Sequence, residues 1–221
     1  MLLAIGEIIP AAAVAAVLVV ALRNAERDGL EPAAMLRAGT IGLIGALLGG
    51  AALAWPAGYS TLGALAGAFL AGGTYLSARG ERVLAYADSG AAGVALGYAI
   101  IRFACLLEGH CFGTPTTVPW AIAHGGVAVH PTQLYHAALG FVAYLILQTM
   151  RDTRLGARTA AALLLYGSGR FVIEFYRADA MPVWWYLDRN QLLCIAMVAG
   201  GAVLLRRTPG CAGRQWAAQG G

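Results

Sequence analysis

Seven apolar segments, each about as long as a membrane is thick, follow one another along this chain of 221 residues. A helix needs roughly 17 to 25 apolar residues to cross the hydrocarbon core of a bilayer. Segments of that length lie near 4–22, 39–55, 60–78, 84–107, 132–150, 159–176 and 190–206. Because backbone polar groups in lipid must be hydrogen-bonded within the protein, such segments fold as helices. The sequence predicts an all-α, polytopic membrane protein with seven transmembrane helices in one integral-membrane domain over residues 1–221.

The composition agrees with this class and excludes several others. Hydrophobic residues make up 59% of the chain and charged residues 12%, with no lysine among them. The absence of lysine excludes a Schiff-base cofactor. The chain has no basic stripe with interleaved aromatic residues, which is the pattern that indicates nucleic-acid binding. Because Met1 to Ala4 carry no basic residue, we expect the first segment to be retained rather than cleaved as a signal peptide.

The arginines predict the orientation of the helices. Eleven of them lie in connections on one side of the membrane, at positions 23, 27, 37, 79, 82, 151, 154, 158, 206, 207 and 214. The opposite connections, which include the two long ones at 108–131 and 177–189, carry only Arg177 and Arg189. Because basic residues concentrate on the cytoplasmic side, the N-terminus is predicted outside and the C-terminus in the cytoplasm.

Charged side chains inside the apolar segments mark the candidate site. Tyr166, Arg170, Glu174 and Arg177 are spaced by four, four and three residues and share one helical face. Arg102 lies in an earlier segment. An ionised group at membrane depth costs about 2.5–3.5 kcal/mol and usually serves a function. An Arg170–Glu174 pair that merely neutralises itself is one interpretation. The other is an anion site, since one acid cannot balance three arginines and guanidinium binds phosphate well.

Histidines and cysteines cluster around the first outer connection. The histidines are His110, His124, His130 and His136. No two of them have the helical spacing that orients a pair of metal ligands, so we expect no metal site. Imidazole instead suits a proton acceptor or a donor to a phosphate oxygen. Cys105 and Cys111 are six residues apart, and either a disulfide or two packed thiols fits that spacing.

Four short motifs in series resemble a known family. They follow Arg102 and read Gly-His-Cys-Phe-Gly-Thr-Pro-Thr from 109 to 116, Pro-Trp-Ala from 119 to 121, His-Pro-Thr-Gln-Leu-Tyr from 130 to 135, and Gly-Arg-Phe-Val-Ile-Glu-Phe-Tyr-Arg from 169 to 177. Each motif alone is weak, but the series, over roughly residues 57 to 200, resembles bacterial phosphatidylglycerol:prolipoprotein diacylglyceryl transferase.

The resemblance implies an activity, a location and partners. Members are seven-helix enzymes of the bacterial inner (cytoplasmic) membrane whose active site faces the outer side. They move a diacylglyceryl group from phosphatidylglycerol to the lipobox cysteine of a prolipoprotein signal peptide, release glycerol phosphate and use no cofactor. Two alternatives stay open: a divergent paralog with another acceptor, and a non-catalytic protein that binds or transports lipid.

The resemblance, with the chemistry of the side chains, also implies roles for individual residues. Catalytic roles fall on Arg102, His130, Arg170 and Glu174. Substrate-binding roles fall on Tyr135, Gln133, Tyr166, Arg177, His110 and Gln191. The two catalytic arginines would hold the phosphate and stabilise the leaving glycerol phosphate. His130 or His110 would take the thiol proton, and Glu174 would orient Arg170.

The chain also departs from the family pattern. Leu62 stands where the family has a histidine before two glycines, and His136 replaces a glutamate after the His-Pro motif. Glu108-Gly109-His110 replaces an Asn-Gly-Glu type of stretch, and the first segment lacks an Arg-Trp-Tyr-Gly entry. These differences bear on the acceptor and leave the phosphate-binding arginines in place.

Overall fold

The computed structural model describes residues 2–52, 61–150, 154–178, 182–184 and 187–207. Within these ranges seven helices follow one another, as predicted. They are α1 Leu2–Arg27, α2 Pro32–Ala52, α3 Thr61–Ala78, α4 Val83–Leu107, α5 Thr132–Thr149, α6 Ala157–Glu174 and α7 Arg189–Arg207. The largest difference in a boundary is at α2, which begins at Pro32 rather than near residue 39. Proline suits a first helical position because its φ is preset and it needs no hydrogen-bond acceptor there.

Three of these helices are long and apolar enough to cross a membrane, judged over the described residues. The stretches are Ile8–Arg27, Pro32–Ala52 and Val83–Leu107. Large apolar side chains such as Leu48 and Phe69 are two-thirds exposed, as expected for a surface that faces lipid rather than water. The chain is thus mostly helical with membrane character, whereas seven spans, their orientation and a single domain remain predictions.

The chain divides into two compact units, and the first comprises residues 18–90. In it α2 and α3 pack backbone to backbone through glycines. A Cβ added to Gly45 would lie 2.3 Å from the carbonyl oxygen of Gly67, and one added to Gly49 would lie 2.3 Å from that of Gly63. Small residues of this kind allow helices to approach closely where lipid surrounds them.

The second unit comprises residues 1–17 and 91–221 and contains the candidate site. Here too glycines bring helices together: a Cβ at Gly140 of α5 would lie 2.8 Å from Ala95 O of α4, and one at Gly167 of α6 would lie 3.0 Å from Cys194 O of α7. The close approach of α5 to α4, and of α7 to α6, allows short side chains to meet between them.

Two short hairpins, which the sequence analysis did not predict, lie in the connections. β1 Ile122–His124 pairs with β2 Val127–Val129, and β3 Pro182–Trp184 pairs with β4 Leu187–Asp188. Gly125 and Gly126 link β1 to β2, and both have positive φ, as a tight two-residue hairpin turn requires. Strands of two or three residues are too short to show an alternating pattern in the sequence.

A further extended segment ties the end of α6 to the loop after α4. Gly113 N donates to His130 O at 2.9 Å, and Thr114 N donates to Tyr176 O at 2.9 Å. A Cβ on Gly113 would lie 2.5 Å from Tyr176 O and 2.6 Å from His130 Cβ. Only glycine fits at this position, where three parts of the chain meet.

Candidate active site

Tyr98 joins the two arginines that the sequence analysis placed in the catalytic set. The guanidinium carbon of Arg102, one turn further along α4, lies 4.4 Å from the centroid of the Tyr98 ring. Arg170 of α6 donates from Nη1 to the Tyr98 hydroxyl and to the Tyr166 hydroxyl, each at 3.4 Å. The tyrosine rings pack edge to face with centroids 4.9 Å apart. Two cations from different helices therefore meet on one aromatic cluster.

Glu174 is the acid of this cluster and is shared between two arginines. Its side chain is 1% exposed, with Oε2 3.6 Å from Arg170 Nη2 and Oε1 3.4 Å from Arg177 Nε. Asn190 of α7 donates to Oε1 at 2.8 Å. No carboxylate among the described residues pairs with Arg102. The Arg170–Glu174 pair exists, but it leaves positive charge in excess.

Asn190 is held in place by the start of α7. Asp188 accepts a hydrogen bond from Gln191 N at 2.6 Å, and Gln191 Oε1 accepts one from Asp188 N at 3.0 Å. This reciprocal pair is a capping box. It occupies the side-chain oxygen of Gln191, to which the sequence analysis gave a substrate-binding role. The structure therefore shows Gln191 as a helix cap, one residue from the asparagine that contacts Glu174.

His136 is a buried member of the cluster. Its Nδ1 lies 2.9 Å from the Tyr98 hydroxyl, and the residue is 1% exposed. In the tautomer whose Nδ1 accepts the proton of the Tyr98 hydroxyl, the ring carries its hydrogen on Nε2. His136 Nε2 and Arg102 Nε have no hydrogen-bond partner among the described residues. Two such donors, each costly to bury unpaired, fit a ligand that supplies acceptors.

A second aromatic cluster surrounds His130. The Tyr135 hydroxyl accepts from Trp120 Nε1 at 2.7 Å and lies 3.0 Å from His130 Nδ1. The His130 ring also packs against Tyr176, with centroids 4.9 Å apart. These contacts hold one edge of the imidazole, and no described residue forms a hydrogen bond with Nε2.

The loop after α4 is braced by the start of α5. Gln133 is buried and donates from Nε2 to His110 O at 2.7 Å, and Thr132 Oγ1 donates to Cys111 O at 2.6 Å. Gln133 Oε1 is buried without a partner among the described residues. His110 itself is exposed. The structure thus gives Gln133 a bracing contact that its motif position did not indicate.

Glu108, His110 and the thiols form a third group near the end of α4. His110 Nε2 lies 2.7 Å from Glu108 Oε2, and Nδ1 lies 3.2 Å from Cys111 Sγ. Hydrogen bonds from Cys105 and then His110 lower the pKa of the Cys111 thiol to about 5. The contacts with Cys111 and Glu108 raise the pKa of His110. Cys105 and Cys111 are free thiols, not a disulfide.

His124, to which the sequence analysis gave no role, lies apart, and some contacts of the site were missed. His124 is exposed and stacks on Phe112 at 4.0 Å, away from both aromatic clusters. Leu62 lies in α3, but its side chain is outside the described part of the chain. Tyr98 and Asn190 were not singled out from the sequence. The spacing of four residues between Tyr98 and Arg102 was the one available signal, whereas nothing near Asn190 pointed to Glu174.

Comparison with known proteins assigns the family. The family model described as prolipoprotein diacylglyceryl transferase matches residues 7–207, further than the motifs alone extended. Phosphatidylglycerol–prolipoprotein diacylglyceryl transferase of Finegoldia magna is 38% identical over 114 residues, which cover 50% of this chain and 46% of that protein. The enzymes of the same name from Mesorhizobium japonicum and Methylococcus capsulatus are 35% and 34% identical, covering 62% and 68% of this chain and 51% and 62% of theirs. The chain spans about half to two-thirds of the length of these curated relatives. It belongs to the prolipoprotein diacylglyceryl transferase family.

Proposed function

We propose that this protein transfers a diacylglyceryl group from phosphatidylglycerol to a thiol, the lipobox cysteine of a prolipoprotein, and releases glycerol phosphate. The observation that carries the proposal is the meeting of Arg102 and Arg170 on Tyr98. The carboxylate of Glu174 is shared between Arg170 and Arg177, and no carboxylate among the described residues pairs with Arg102. The excess positive charge calls for an anionic ligand. Family membership supports the choice of phosphatidylglycerol.

The phosphate of the lipid is the part that the arginines suit. A guanidinium offers a planar fork of donors that matches two phosphate oxygens at once. Arg102 Nε and His136 Nε2 are buried donors without a partner among the described residues, so both have capacity for those oxygens. As the bond between the diacylglyceryl carbon and the phosphate oxygen breaks, negative charge grows on the leaving glycerol phosphate. Fixed cations in a low-dielectric site stabilise that charge.

Glu174 serves this step as a positioning residue. Its Oε2 contacts Arg170, and its Oε1 contacts Arg177 and accepts a hydrogen bond from Asn190. Its role is therefore to orient Arg170 rather than to accept a proton.

His130 is the proposed proton acceptor. In the tautomer that donates Nδ1–H to the Tyr135 oxygen, Nε2 is free to accept, and that oxygen has two lone pairs for His130 and Trp120. The acceptor thiol passes its proton to Nε2 while its sulfur forms a bond to the diacylglyceryl carbon that carries the phosphate. The carbon–oxygen bond to phosphate breaks with its electron pair on the leaving glycerol phosphate. His110 suits this role less well, because Glu108 and Cys111 engage both its ring nitrogens.

We further propose that all seven helices span the bacterial inner membrane, with the N-terminus outside, the C-terminus in the cytoplasm and the site on the outer side. The split of eleven arginines against two supports this orientation. The site residues also agree with it. Arg102 lies in the last turns of α4, Tyr135 near the start of α5 and Glu174 at the end of α6, and these ends all fall on the side predicted to be outside.

The test measures glycerol phosphate released from phosphatidylglycerol by purified protein, with a lipobox peptide and separately with small thiols. We expect release with the peptide. Changing Arg102 and Arg170 together to alanine should abolish it. Arg154→Ala should not, because Arg154 is exposed and precedes the start of α6, whereas Glu174 lies at the end of that helix. Mass spectrometry of co-purified lipid should show phosphatidylglycerol enriched over phosphatidylethanolamine in the wild type only. If phosphatidylglycerol is enriched but no thiol leads to release of glycerol phosphate, the protein binds the lipid without transferring its diacylglyceryl group, and the proposed activity is wrong.

A further inference from the structure

We propose that Cys105, His110 and Cys111 bind a Zn²⁺ ion at the end of α4. Cys105 lies one turn beyond Arg102 on α4, and none of the three residues takes part in the transfer step proposed above. The two sulfurs and one ring nitrogen lie within 4.8 Å of one another. In a tetrahedral zinc site, metal–sulfur bonds of about 2.3 Å and metal–nitrogen bonds of about 2.0 Å place the ligand atoms roughly 3.5–3.8 Å apart. Small side-chain rotations bring these three atoms to that separation.

The chemistry of the ligands selects the ion. Two thiolates and an imidazole suit zinc and other soft or borderline metals, whereas magnesium and calcium prefer oxygen ligands. Three protein ligands leave one position of a tetrahedron for water. The sequence analysis expected no metal site because no two histidines have the spacing of paired ligands on a helix. That argument does not cover this group, because its ligands come from a helix end and the turn after it.

Glu108 supplies independent evidence that His110 is arranged as a ligand. Its carboxylate lies 2.7 Å from His110 Nε2, and the other ring nitrogen, Nδ1, lies 3.2 Å from Cys111 Sγ. Histidines that bind metals commonly donate their remaining N–H to a carboxylate, which fixes the tautomer and the ring orientation. Here the carboxylate lies against Nε2, and Nδ1 faces the thiols and gives up any hydrogen it carries when a metal ion binds.

The backbone holds the three ligands together before any ion binds. Gly109 has φ of +73°, and His110 N donates to Cys105 O at 3.2 Å, the bond that ends a helix in a Schellman motif. This turn reverses the chain and carries Cys111 back toward Cys105. Cys111 has φ of +62°, an uncommon conformation for a residue with a side chain, and Thr132 holds it by donating to its carbonyl oxygen.

The experiment uses full-length protein, reduced, stripped of metal with a chelator and then exchanged into a buffer with Zn²⁺ alone. Elemental analysis should find about one zinc per chain, as a single such site requires. X-ray absorption should show two sulfurs at about 2.3 Å and at least one nitrogen at about 2.0–2.1 Å. Co²⁺ in place of zinc should give the charge-transfer absorption of thiolate ligands.

Three variants separate the proposal from incidental binding. Cys105→Ser with Cys111→Ser should lose the zinc, and Cys194→Ala, which removes a thiol buried in α7, should keep it. Glu108→Gln should retain two sulfur ligands but bind zinc about 10–100-fold more weakly. Wild-type protein with no more zinc than the double variant, or with no sulfur around the metal, would overturn the proposal. The proposal would also be overturned if protein isolated without reductant contained a Cys105–Cys111 disulfide and took up no zinc after that disulfide was reduced.

Discussion

Replacing Gly113 with alanine tests how the outer loop positions the proposed base. The added Cβ would lie 2.5 Å from Tyr176 O and 2.6 Å from His130 Cβ, whereas ordinary contacts begin near 3.4 Å. One of these segments must therefore move by almost 1 Å. That movement stretches the bonds from Gly113 N to His130 O and from Thr114 N to Tyr176 O, both 2.9 Å long.

The expected magnitude follows from that displacement. A misplacement of about 1 Å costs roughly 10²-fold in rate, and overpacking of this kind costs about 1–3 kcal/mol of stability. Gly113→Ala should therefore lower the release of glycerol phosphate about 100-fold, with a modest fall in the unfolding temperature. Gly200→Ala is the matched control, because among the described residues no atom outside the adjacent backbone of α7 lies within 4 Å of the added Cβ. Alanine also favours a helix by about 1 kcal/mol over glycine.

Both variants are compared by turnover in the phosphatidylglycerol assay and by thermal unfolding in the same detergent. We expect Gly200→Ala to match the wild type in turnover and to unfold at the same or a higher temperature. Full activity of Gly113→Ala at a temperature where it is folded would refute the argument that this strand positions His130. A loss of activity that follows unfolding alone would do the same.

Three further results are expected. Arg170→Lys should lower turnover by about 10²–10³, nearly as much as Arg170→Ala, since an ammonium cannot reproduce the planar grip on phosphate; lysine activity close to the wild type would contradict the phosphate role. His130→Ala should lower turnover by about 10²–10⁴ while His124→Ala leaves it unchanged, and equal losses in the same assay would count against His130 as base. A reporter that is active only in the cytoplasm should be active when fused at Thr208, and one that is active only outside should be active when placed after Met1, as the arginine distribution requires. The reverse pattern would overturn the topology.

The positions of the helices were predictable because they depend on local properties. Seven runs of apolar residues marked seven helices, and the ends of six of them differ from prediction by a few residues. The shared face of Tyr166, Arg170 and Glu174 was predictable for the same reason, since the helical repeat alone sets which side chains are neighbours. The ion pairs of Glu174 with Arg170 and Arg177 follow from that spacing.

Contacts between distant parts of the chain were decided only by the tertiary structure. Arg102 and Arg170 were expected to converge, but the residue on which they meet, Tyr98, depends on how α4 packs against its neighbours. Asn190 reaches Glu174 because glycines allow α7 to approach α6 closely. No periodicity encodes such pairings, because they result from packing complementarity between surfaces far apart in sequence.

The thiol cluster illustrates the same limit over a shorter distance. Cys105 and Cys111 were visible as a spacing, but a spacing of six residues fits a straight helix, a loop or a reversed turn. The positive φ of Gly109 closes a turn at the end of α4, and Gln133 and Thr132 fix the following residues from α5. Side chains distant in sequence thus determine the path of the loop, and that path brings two thiols and an imidazole together.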